Sequence, residues 1–272
     1  MSLTLNRENG LMTIRNQFYT ISFNTETGGI VSHLRNNEDK QSLVFREGCE
    51  IWSPKWGDFA ENHYQQERYG PPKFEVNTEA EVVKVKIENK LGNHRDGGTR
   101  GGWCINNWVF KKDTPLIHCS TQIGDPDAEQ PETAYPNIFK KYICFRPGTY
   151  KYWAYKEEDN IVSGLLGWDN LTPHFVRNGV GYNFVLDRGV WITLFNDTRG
   201  FAFILPKDAK IWEDEDLRFW QSKSMEELLY SHRSNEKSHS LSLGYLEYTT
   251  TPKKKWNLVD DIYEGRGISA NT

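Results

Sequence analysis

The chain has 272 residues, a length that suits one large β domain and is enough to bury a sizeable core. Its formal net charge of −4 gives no general electrostatic reason to expect a nucleic-acid partner. No apolar run approaches the ~18 residues of a membrane-spanning helix, so no membrane partner is expected. Aromatic residues make up 14% of the chain, which is typical of strand-rich proteins and of clefts that stack sugar rings.

The first predicted element is a hairpin. Tyr19, Ile21 and Phe23 alternate with polar residues, the period of a half-buried strand, so strands are expected at residues 11–23 and 30–36. Gly28-Gly29 can supply the positive φ that ends a tight turn. The string Tyr-x-Ile-x-Phe-x-x-x-Thr-Gly-Gly-Ile-x-Ser-x-Leu resembles the hairpin that opens galactose-mutarotase-like β-sandwich domains. These domains occur in aldose epimerases, in some polysaccharide lyases and at the C-terminus of α-mannosidases. The resemblance implies a saccharide ligand and leaves the chemistry open.

An irregular, aromatic segment follows at residues 50–72 and supplies one candidate site. A lyase that cleaves a uronate by β-elimination needs a group to neutralise the carboxylate, a base for the C5 proton and an acid for the leaving oxygen. Asn62, His63 and Tyr64 stand side by side, and Arg100 in a glycine-rich loop can bind a carboxylate bidentately. Successive strand residues point to opposite faces, so His63 and Tyr64 cooperate only if the backbone is irregular. The alternative is a surface loop with chance polar content.

Strand patterns dominate the rest of the chain. Val83, Val85 and Ile87 alternate with charged residues and predict a strand at residues 82–88 with one exposed face. The five glycines of residues 92–102 precede another strand rather than a helix, so a phosphate-binding loop is not expected. One helix is predicted, where Ser224 and Glu227 form a capping-box pattern. Further strands are expected at residues 103–110, 116–123, 141–145, 151–154, 181–186, 190–195, 200–205 and 240–249.

A second resemblance supports the first. The hairpin pattern of residues 188–201, with Asn196-Asp197 at its turn, resembles one in mannosidase C-terminal domains. Together the two stretches imply an all-β fold, a large antiparallel β-sandwich of the galactose mutarotase-like (supersandwich) kind with very little helix. With no linker, low-complexity tract or repeat, residues 1–272 are expected to form a single β-sandwich domain. Fold alone does not fix the function.

The epimerase resemblance implies a base on a late strand and an acid on a central strand. Glu247 follows Leu246 in an alternating run and matches the late position. If it faces inward, burial should raise its pKa toward a useful value. His174 matches the central position partially, since Pro173 stands where the family has Asn. The alternatives are that Glu247 faces solvent on an edge strand and that His174 is structural.

Tryptophans are the candidate stacking platform for a sugar ring, although core packing is the alternative for most of them. The candidate substrate-binding set is Trp52, Trp56, Asn62, Trp103, Trp153 and Trp168. Three functions remain open. Acid–base proton transfer on a sugar, as in an epimerase (an isomerase), comes first and a uronate lyase second, with non-catalytic glycan binding third.

No cofactor fingerprint appears, and no cofactor is expected. Asp125, Asp127 and Glu129 could form a Ca²⁺ loop, but they lack EF-hand spacing and a solvated acidic loop is preferred. The four cysteines fit no zinc framework and are expected to be buried thiols. No secretory signal is visible, and both a cytoplasmic chain and an exported chain with its signal peptide removed are left open. The oligomeric state is also left open.

Overall fold

The computed structural model describes residues 2–37, 42, 44–52, 63–93, 98, 101–124, 137–157, 159–166, 182–186, 189–207, 215–221, 226–234 and 236–266. Within them the chain forms twenty strands and one α-helix, which confirms the all-β prediction. The first ten strands are β1 (Thr4–Glu8), β2 (Leu11–Arg15), β3 (Tyr19–Asn24), β4 (Val31–Asn36), β5 (Val44–Trp52), β6 (His63–Gln65), β7 (Lys73–Thr78), β8 (Val82–Lys90), β9 (Gly92–Asn93) and β10 (Trp103–Lys111). The remaining elements are β11 (Ile117–Gly124), β12 (Asn137–Phe145), β13 (Tyr152–Glu157), β14 (Asn160–Leu165), β15 (Tyr182–Leu186), β16 (Gly189–Phe195), β17 (Arg199–Ile204), β18 (Glu215–Gln221), β19 (Glu226–Ser234), β20 (Ser238–Thr249) and α1 (Asn257–Glu264).

The described strands form three antiparallel sheets. The first is a four-stranded meander, β1-β2-β3-β4. The second has nine strands in the order β14-β13-β16-β17-β20-β11-β10-β8-β7. The third has seven strands in the order β15-β18-β19-β12-β5-β6-β9. One hydrophobic cluster takes residues from all three sheets, for example Ile21 of β3, Ile87 of β8 and Ile143 of β12. The sheets therefore pack against a shared core, as in a sandwich. The assignment of residues 1–272 to a single domain stays a prediction.

Strand alternation explains how the core is filled. In β8 the buried side chains of Val83, Val85 and Ile87 alternate with more exposed charged residues, as predicted. Trp108 of β10 lies at the centre, where its ring is 5.3 Å from that of Phe23 and 5.0 Å from that of Tyr245 (centroid distances). These aromatic contacts tie the four-stranded sheet to the nine-stranded one.

The core also contains a buried ion pair. Lys141 Nζ lies 2.5 Å from Glu47 Oε1, and both side chains are at most 1% exposed. Lys141 also donates to Asn106 Oδ1 (2.9 Å), and Glu47 accepts from the Tyr245 hydroxyl (3.2 Å). Burial acts to lower the pKa of Lys141, but Cys49 and Glu47 raise it above its ordinary value. Because the charges are paired and hydrogen-bonded, the desolvation cost of burying them is offset.

The opening hairpin has the predicted turn. Residues 11–23 divide into β2 and β3 at Asn16, whose side-chain oxygen accepts from the backbone N–H groups of Phe18 and Tyr19. Gly28 and Gly29 have φ of 66° and 65°. A Cβ on Gly28 would lie 2.6 Å from the carbonyl oxygen of Gln66. Both glycines are thus required for their backbone conformation, and Gly28 is also required for close approach to the 3-10 turn Gln66–Arg68.

Two local predictions differ from the structure. The helix predicted at Ser224 is wrong, because residues 226–234 form β19, paired on both sides with β12 and β18. The capping-box pattern is local, and sheet pairing overrides it. Helix α1 was not predicted. It buries Val259 against the outer face of the nine-stranded sheet and ends at Gly265 in the left-handed conformation.

The four cysteines are free and buried, as expected. Among the described residues, no helix has the length and apolar character needed to cross a membrane.

Candidate functional site

The seven-stranded sheet has one face against the shared core and one face turned away from it. Along β12, Lys141 and Ile143 point into the sandwich, so the intervening Tyr142 and Cys144 point to the opposite side. We call that opposite side the polar face. Among the side chains that the structure describes, Leu229 packs there against Tyr142 and Cys144, and the other members are Arg46, Glu50, Gln65, Glu67, Lys140 and Glu227.

Strand register brings these residues together from distant parts of the sequence. β12 lies between β5 and β19, so Cys144 is opposite Arg46 on one side and Glu227 on the other. Four residues away along β12, Lys140 is opposite Glu50 of β5. Glu50 is in turn opposite Gln65 of β6. The face therefore has the regular spacing of a sheet, and its polar groups are held on strands, except for Glu67, which the 3-10 turn Gln66–Arg68 carries.

Arg46, Glu67 and Tyr142 form the first group on this face. Arg46 Nη1 lies 3.1 Å from Glu67 Oε1, and the Tyr142 hydroxyl donates to Glu67 Oε2 at 2.6 Å. The guanidinium carbon of Arg46 is 5.1 Å from the centroid of the Tyr142 ring. Burial and then the Glu67 carboxylate raise the pKa of Tyr142 well above its ordinary value, so the phenol stays protonated. Glu67 thus has both oxygens engaged.

Lys140, Glu50 and Gln65 form the second group. Lys140 Nζ lies 2.8 Å from Glu50 Oε1, and the Gln65 side-chain amide donates to Glu50 Oε2 at 2.9 Å. The Lys140 and Arg46 side chains are 23% and 25% exposed, so the cations keep contact with solvent while the acids lie deeper. Partly desolvated cations with fixed partners are suited to orient the hydroxyl groups of a bound ligand.

Glu227 differs from the other two acids of the polar face. Glu227 is 8% exposed. Within the described part of the chain, its carboxyl group has no hydrogen bond or ion pair. Burial raises its pKa to about 7, with Lys140 acting to lower it and Glu50 to raise it. A carboxyl group with this pKa exchanges a proton near neutral pH, which is the requirement for a general acid or base.

The predicted base, Glu247, lies elsewhere. It is in β20, the central strand of the nine-stranded sheet, and not on an edge strand. It is opposite Phe201 and on the same side of the strand as Tyr245, so it faces the interior of the sandwich. It raises the pKa of Tyr150, after the larger effect of burial on that phenol. The structure therefore does not bring Glu247 to the polar face.

The structure describes part of the aromatic segment predicted at residues 50–72. Trp52 and His63 are register partners in β5 and β6, two residues along the strands from the Glu50–Gln65 pair. Tyr64 is 2% exposed and belongs to the hydrophobic core, on the opposite side of β6 from Gln65. Asn62, Trp56, Arg100, Trp168 and His174 lie outside the described residues.

The remaining predicted tryptophans lie on the nine-stranded sheet. Trp103 is partly exposed at the start of β10 and lies over Gly124 of β11. Trp153 packs against the core and stacks on Tyr155 at 5.8 Å between centroids. The proposed Ca²⁺ loop at Asp125, Asp127 and Glu129 falls outside the described residues. Within those residues, no group of three or more His, Cys, Asp or Glu is arranged to hold a metal ion.

Sequence reasoning missed the polar face itself. The alternation of Arg46, Gly48 and Glu50 in β5 was a usable pattern, because three polar or small residues on one side of a strand indicate a polar surface. Glu227 was assigned to a helix cap. Which strands lie beside β12, and so which polar residues meet, is not encoded in any local pattern.

No protein-family model matches the sequence, and the search of curated proteins found no match. Solved structures are similar in fold. An alpha-mannosidase from Enterococcus faecalis V583 matches 93% of this chain with TM-score 0.60 and 8% identity. A glycosyl hydrolase family 38 protein from Enterococcus faecalis matches 97% with TM-score 0.61 and 7% identity. A galactose mutarotase-like protein from Lactobacillus casei ATCC 334 matches 88% with TM-score 0.52 and 10% identity.

The three structures are covered to different extents. This chain spans 31% and 33% of the two Enterococcus chains, and 100% of the Lactobacillus chain. At these identities the likeness concerns the fold alone, and the chain has a galactose mutarotase-like fold.

Proposed function

We propose that this chain acts on a saccharide at the polar face, by acid–base proton transfer of the kind that interconverts sugar anomers. Glu227 is the proton-transferring carboxyl group in this proposal. The observation that carries it is the position of Glu227. It is a buried carboxyl on a polar sheet face, without a hydrogen-bond or ion-pair partner among the described residues, beside two acids whose oxygens are engaged.

The choice of a saccharide rests on two supports. The similar structures carry the names galactose mutarotase-like protein and alpha-mannosidase, and both names refer to sugars. The polar face offers hydrogen-bond donors and acceptors on a rigid sheet, with Lys140 and Arg46 at its partly exposed positions. Hydroxyl groups of a sugar need this mixture of charged and neutral partners.

Interconversion of anomers needs a base to remove the anomeric hydroxyl proton and an acid to protonate the ring oxygen. With a pKa of about 7, Glu227 is present in both protonation states near neutral pH and can serve as the base once ionised. His174 is the proposed acid, on the partial resemblance of its segment to epimerases. Glu247, the base predicted from the sequence, is the competing assignment.

The test follows the return to anomeric equilibrium of freshly dissolved α-galactose and α-glucose by proton NMR. The matched variants are Glu227→Gln and Glu247→Gln, which make the same isosteric change at two buried carboxyls. We expect the native chain to accelerate the exchange and Glu227→Gln to reduce that acceleration by about 10²–10⁴. Loss of the acceleration in Glu247→Gln, with Glu227→Gln at native rate, would move the base to Glu247.

The same samples separate the other two functions. Uronate polysaccharides are added and the absorbance of the 4,5-unsaturated product is recorded. Absorbance without anomeric exchange replaces the proposal with a lyase. Sugar binding with neither signal replaces it with a non-catalytic binding role.

A further inference from the structure

A groove on the outer face of the nine-stranded sheet is separate from the polar face and shares no residue with it. Its two aromatic walls are Tyr69, just after the 3-10 turn, and Trp103, at the start of β10. The cavity has a volume of about 330 Å³. Its lining also includes Lys73, Glu88, Lys90 and Ile105. This volume is within the range of small-molecule sites, and it suits a sugar ring or two.

Trp103 is placed to act as a stacking platform. It is the register partner of Gly124 in β11, and its indole lies over that glycine. A Cβ at Gly124 would be 2.4 Å from Cζ2 and 2.5 Å from Cε2 of the indole. The glycine therefore lets the ring settle on the neighbouring strand, where it is fixed by the sheet yet partly exposed to the groove. A fixed, partly exposed indole gives a sugar ring an apolar surface at little conformational cost.

The charge of the groove is positive. Glu88 is its acid, and Lys86 forms a hydrogen-bonded ion pair with it that lowers the pKa of the Glu88 carboxyl. Lys73 and Lys90 are exposed, and among the described residues neither has an ion-pair partner within 4 Å. The Lys90 ammonium is 5.9 Å from the centroid of the Tyr69 ring. Lys73 is the register partner of Glu88 and also acts to lower the pKa of that carboxyl group. The groove thus has two ammonium groups and one carboxylate, which Lys86 already pairs, so its net charge is positive.

We propose that this groove binds an acidic saccharide, with a sugar ring stacked on Trp103 and a uronate carboxylate held by Lys73 and Lys90. The site is independent of the polar face and of the reaction proposed there. A carboxylate is the group that distinguishes this ligand from a neutral sugar, because the ammonium groups add a Coulomb attraction that the aromatic walls lack.

The experiment uses two probes with the same sugar rings, one charged and one neutral. They are a galacturonate trimer and the same trimer with every carboxyl group methyl-esterified, and binding to the full chain is measured by calorimetry at low salt. We expect the acid to bind at least 10-fold more tightly than the ester. Lys73→Gln/Lys90→Gln should bring the acid to the affinity of the ester. Lys84→Gln/Lys112→Gln removes the same charge from surface ion pairs with Glu79 and Glu81 and should leave both affinities unchanged.

Variants of Trp103 test the stacking. Trp103→Ala should weaken both probes at least 10-fold, whereas Trp103→Phe, which keeps a ring, should bind more tightly than Trp103→Ala. If Trp103→Ala does not fold, Trp103→Phe is compared with the native chain instead. Glu227→Gln should bind both probes as the native chain does, which separates this site from the polar face. Equal affinities for acid and ester, an equal effect of the two lysine pairs, or no binding of either probe would overturn the proposal.

Discussion

Glu50, Glu67 and Glu227 lie on one face of a sheet, yet their carboxyl groups are in different situations. The first two are held in hydrogen bonds and ion pairs by Gln65, Lys140, Arg46 and Tyr142. Glu227 is buried beside them without such a partner in the described part of the chain. Burial of an ionisable group without a partner costs stability, and such groups concentrate at functional sites.

The raised pKa of Glu227 gives a prediction for stability. The unfolded carboxyl group titrates near its ordinary value of 4.5 and the folded one at about 7, so between these values the folded state holds more protons. The free energy of unfolding therefore falls as pH rises through this window. Glu227→Gln does not titrate, and we expect it to gain stability over the native chain between pH 5 and pH 8, on the order of 2 kcal/mol.

Urea denaturation at the two pH values measures this difference. Because Gln is nearly isosteric with Glu, a constant offset between variant and native chain reports packing, and the pH-dependent part reports the ionisation. An offset that is the same at pH 5 and pH 8 would contradict the raised pKa. Higher stability together with lost activity is the combination expected of a functional residue.

At the scale of elements, the opening hairpin is fixed by its contact with the 3-10 turn. The side-chain amide of Gln66 donates to the carbonyl of Gly28 at 2.6 Å and its oxygen accepts from the N–H of Cys49 at 3.1 Å. Glu67, the next residue, belongs to the polar face. Gly28 therefore helps to position a turn that carries one residue of the candidate site, which links a fold motif to that site.

Substitution of Gly28 tests this link. Gly28→Ala introduces both an unfavourable left-handed backbone and a Cβ 2.6 Å from the Gln66 oxygen, and we expect a loss of roughly 3 kcal/mol in unfolding free energy. Gly148→Ala is the control, since Gly148 also has a positive φ of 75° but no atom within 4 Å of its added Cβ. That control should lose about 1 kcal/mol. Equal losses in the two variants would show that the close approach to Gln66 does not matter.

The success of prediction at this scale depended on whether a pattern was local. The strand at residues 82–88 was predictable because alternation alone determines which side chains are buried. The prediction of a helix at Ser224 is wrong because a capping box is a local pattern, whereas β19 is held as a strand by pairing with β12 and β18. Helix α1 did leave signals, namely Leu258, Val259 and Ile262 at helical spacing and Gly265 just after its end.

At the scale of the whole molecule, the two large sheets meet through a pair of histidines. His232 belongs to β19 of the seven-stranded sheet and His239 to β20 of the nine-stranded sheet, with ring centroids 3.9 Å apart. His239 also hydrogen-bonds the Tyr230 hydroxyl at 3.0 Å and stacks on Phe139. Burial and then His232 lower the pKa of His239 to about 4. The contact between the two sheets thus favours the neutral form of the His239 ring.

This pair predicts sensitivity to acid. In the unfolded chain His239 titrates near 6.5, and in the folded chain it titrates at about 4, so between these values the unfolded state binds more protons. The free energy of unfolding is therefore expected to fall as pH decreases from 6.5 to 4. His239→Gln should show a shallower decrease in Tm over that range, after the difference at pH 7.5 is subtracted. A parallel decrease in both proteins would contradict the assignment.

Global organisation also explains what could not be foreseen about the site. The β-sandwich was predictable from two hairpin patterns and the dominance of strands. The polar face was not, because β5, β12 and β19 come together only through the strand order of the seven-stranded sheet. Glu247 looked suitable because it alternates within an apolar run. The same alternation is what places it inside the sandwich beside Phe201.

The location of a bound sugar is the most direct test of the central claim that the polar face is the saccharide site. A crystal structure of Glu227→Gln soaked with galactose gives it, since the variant is expected to bind the sugar while turning it over slowly. We predict the sugar on the outer side of the seven-stranded sheet, within hydrogen-bond distance of Lys140 or Arg46 and with its anomeric carbon next to residue 227. A sugar bound beside Glu247, or none on the polar face at saturating concentration, would contradict the claim.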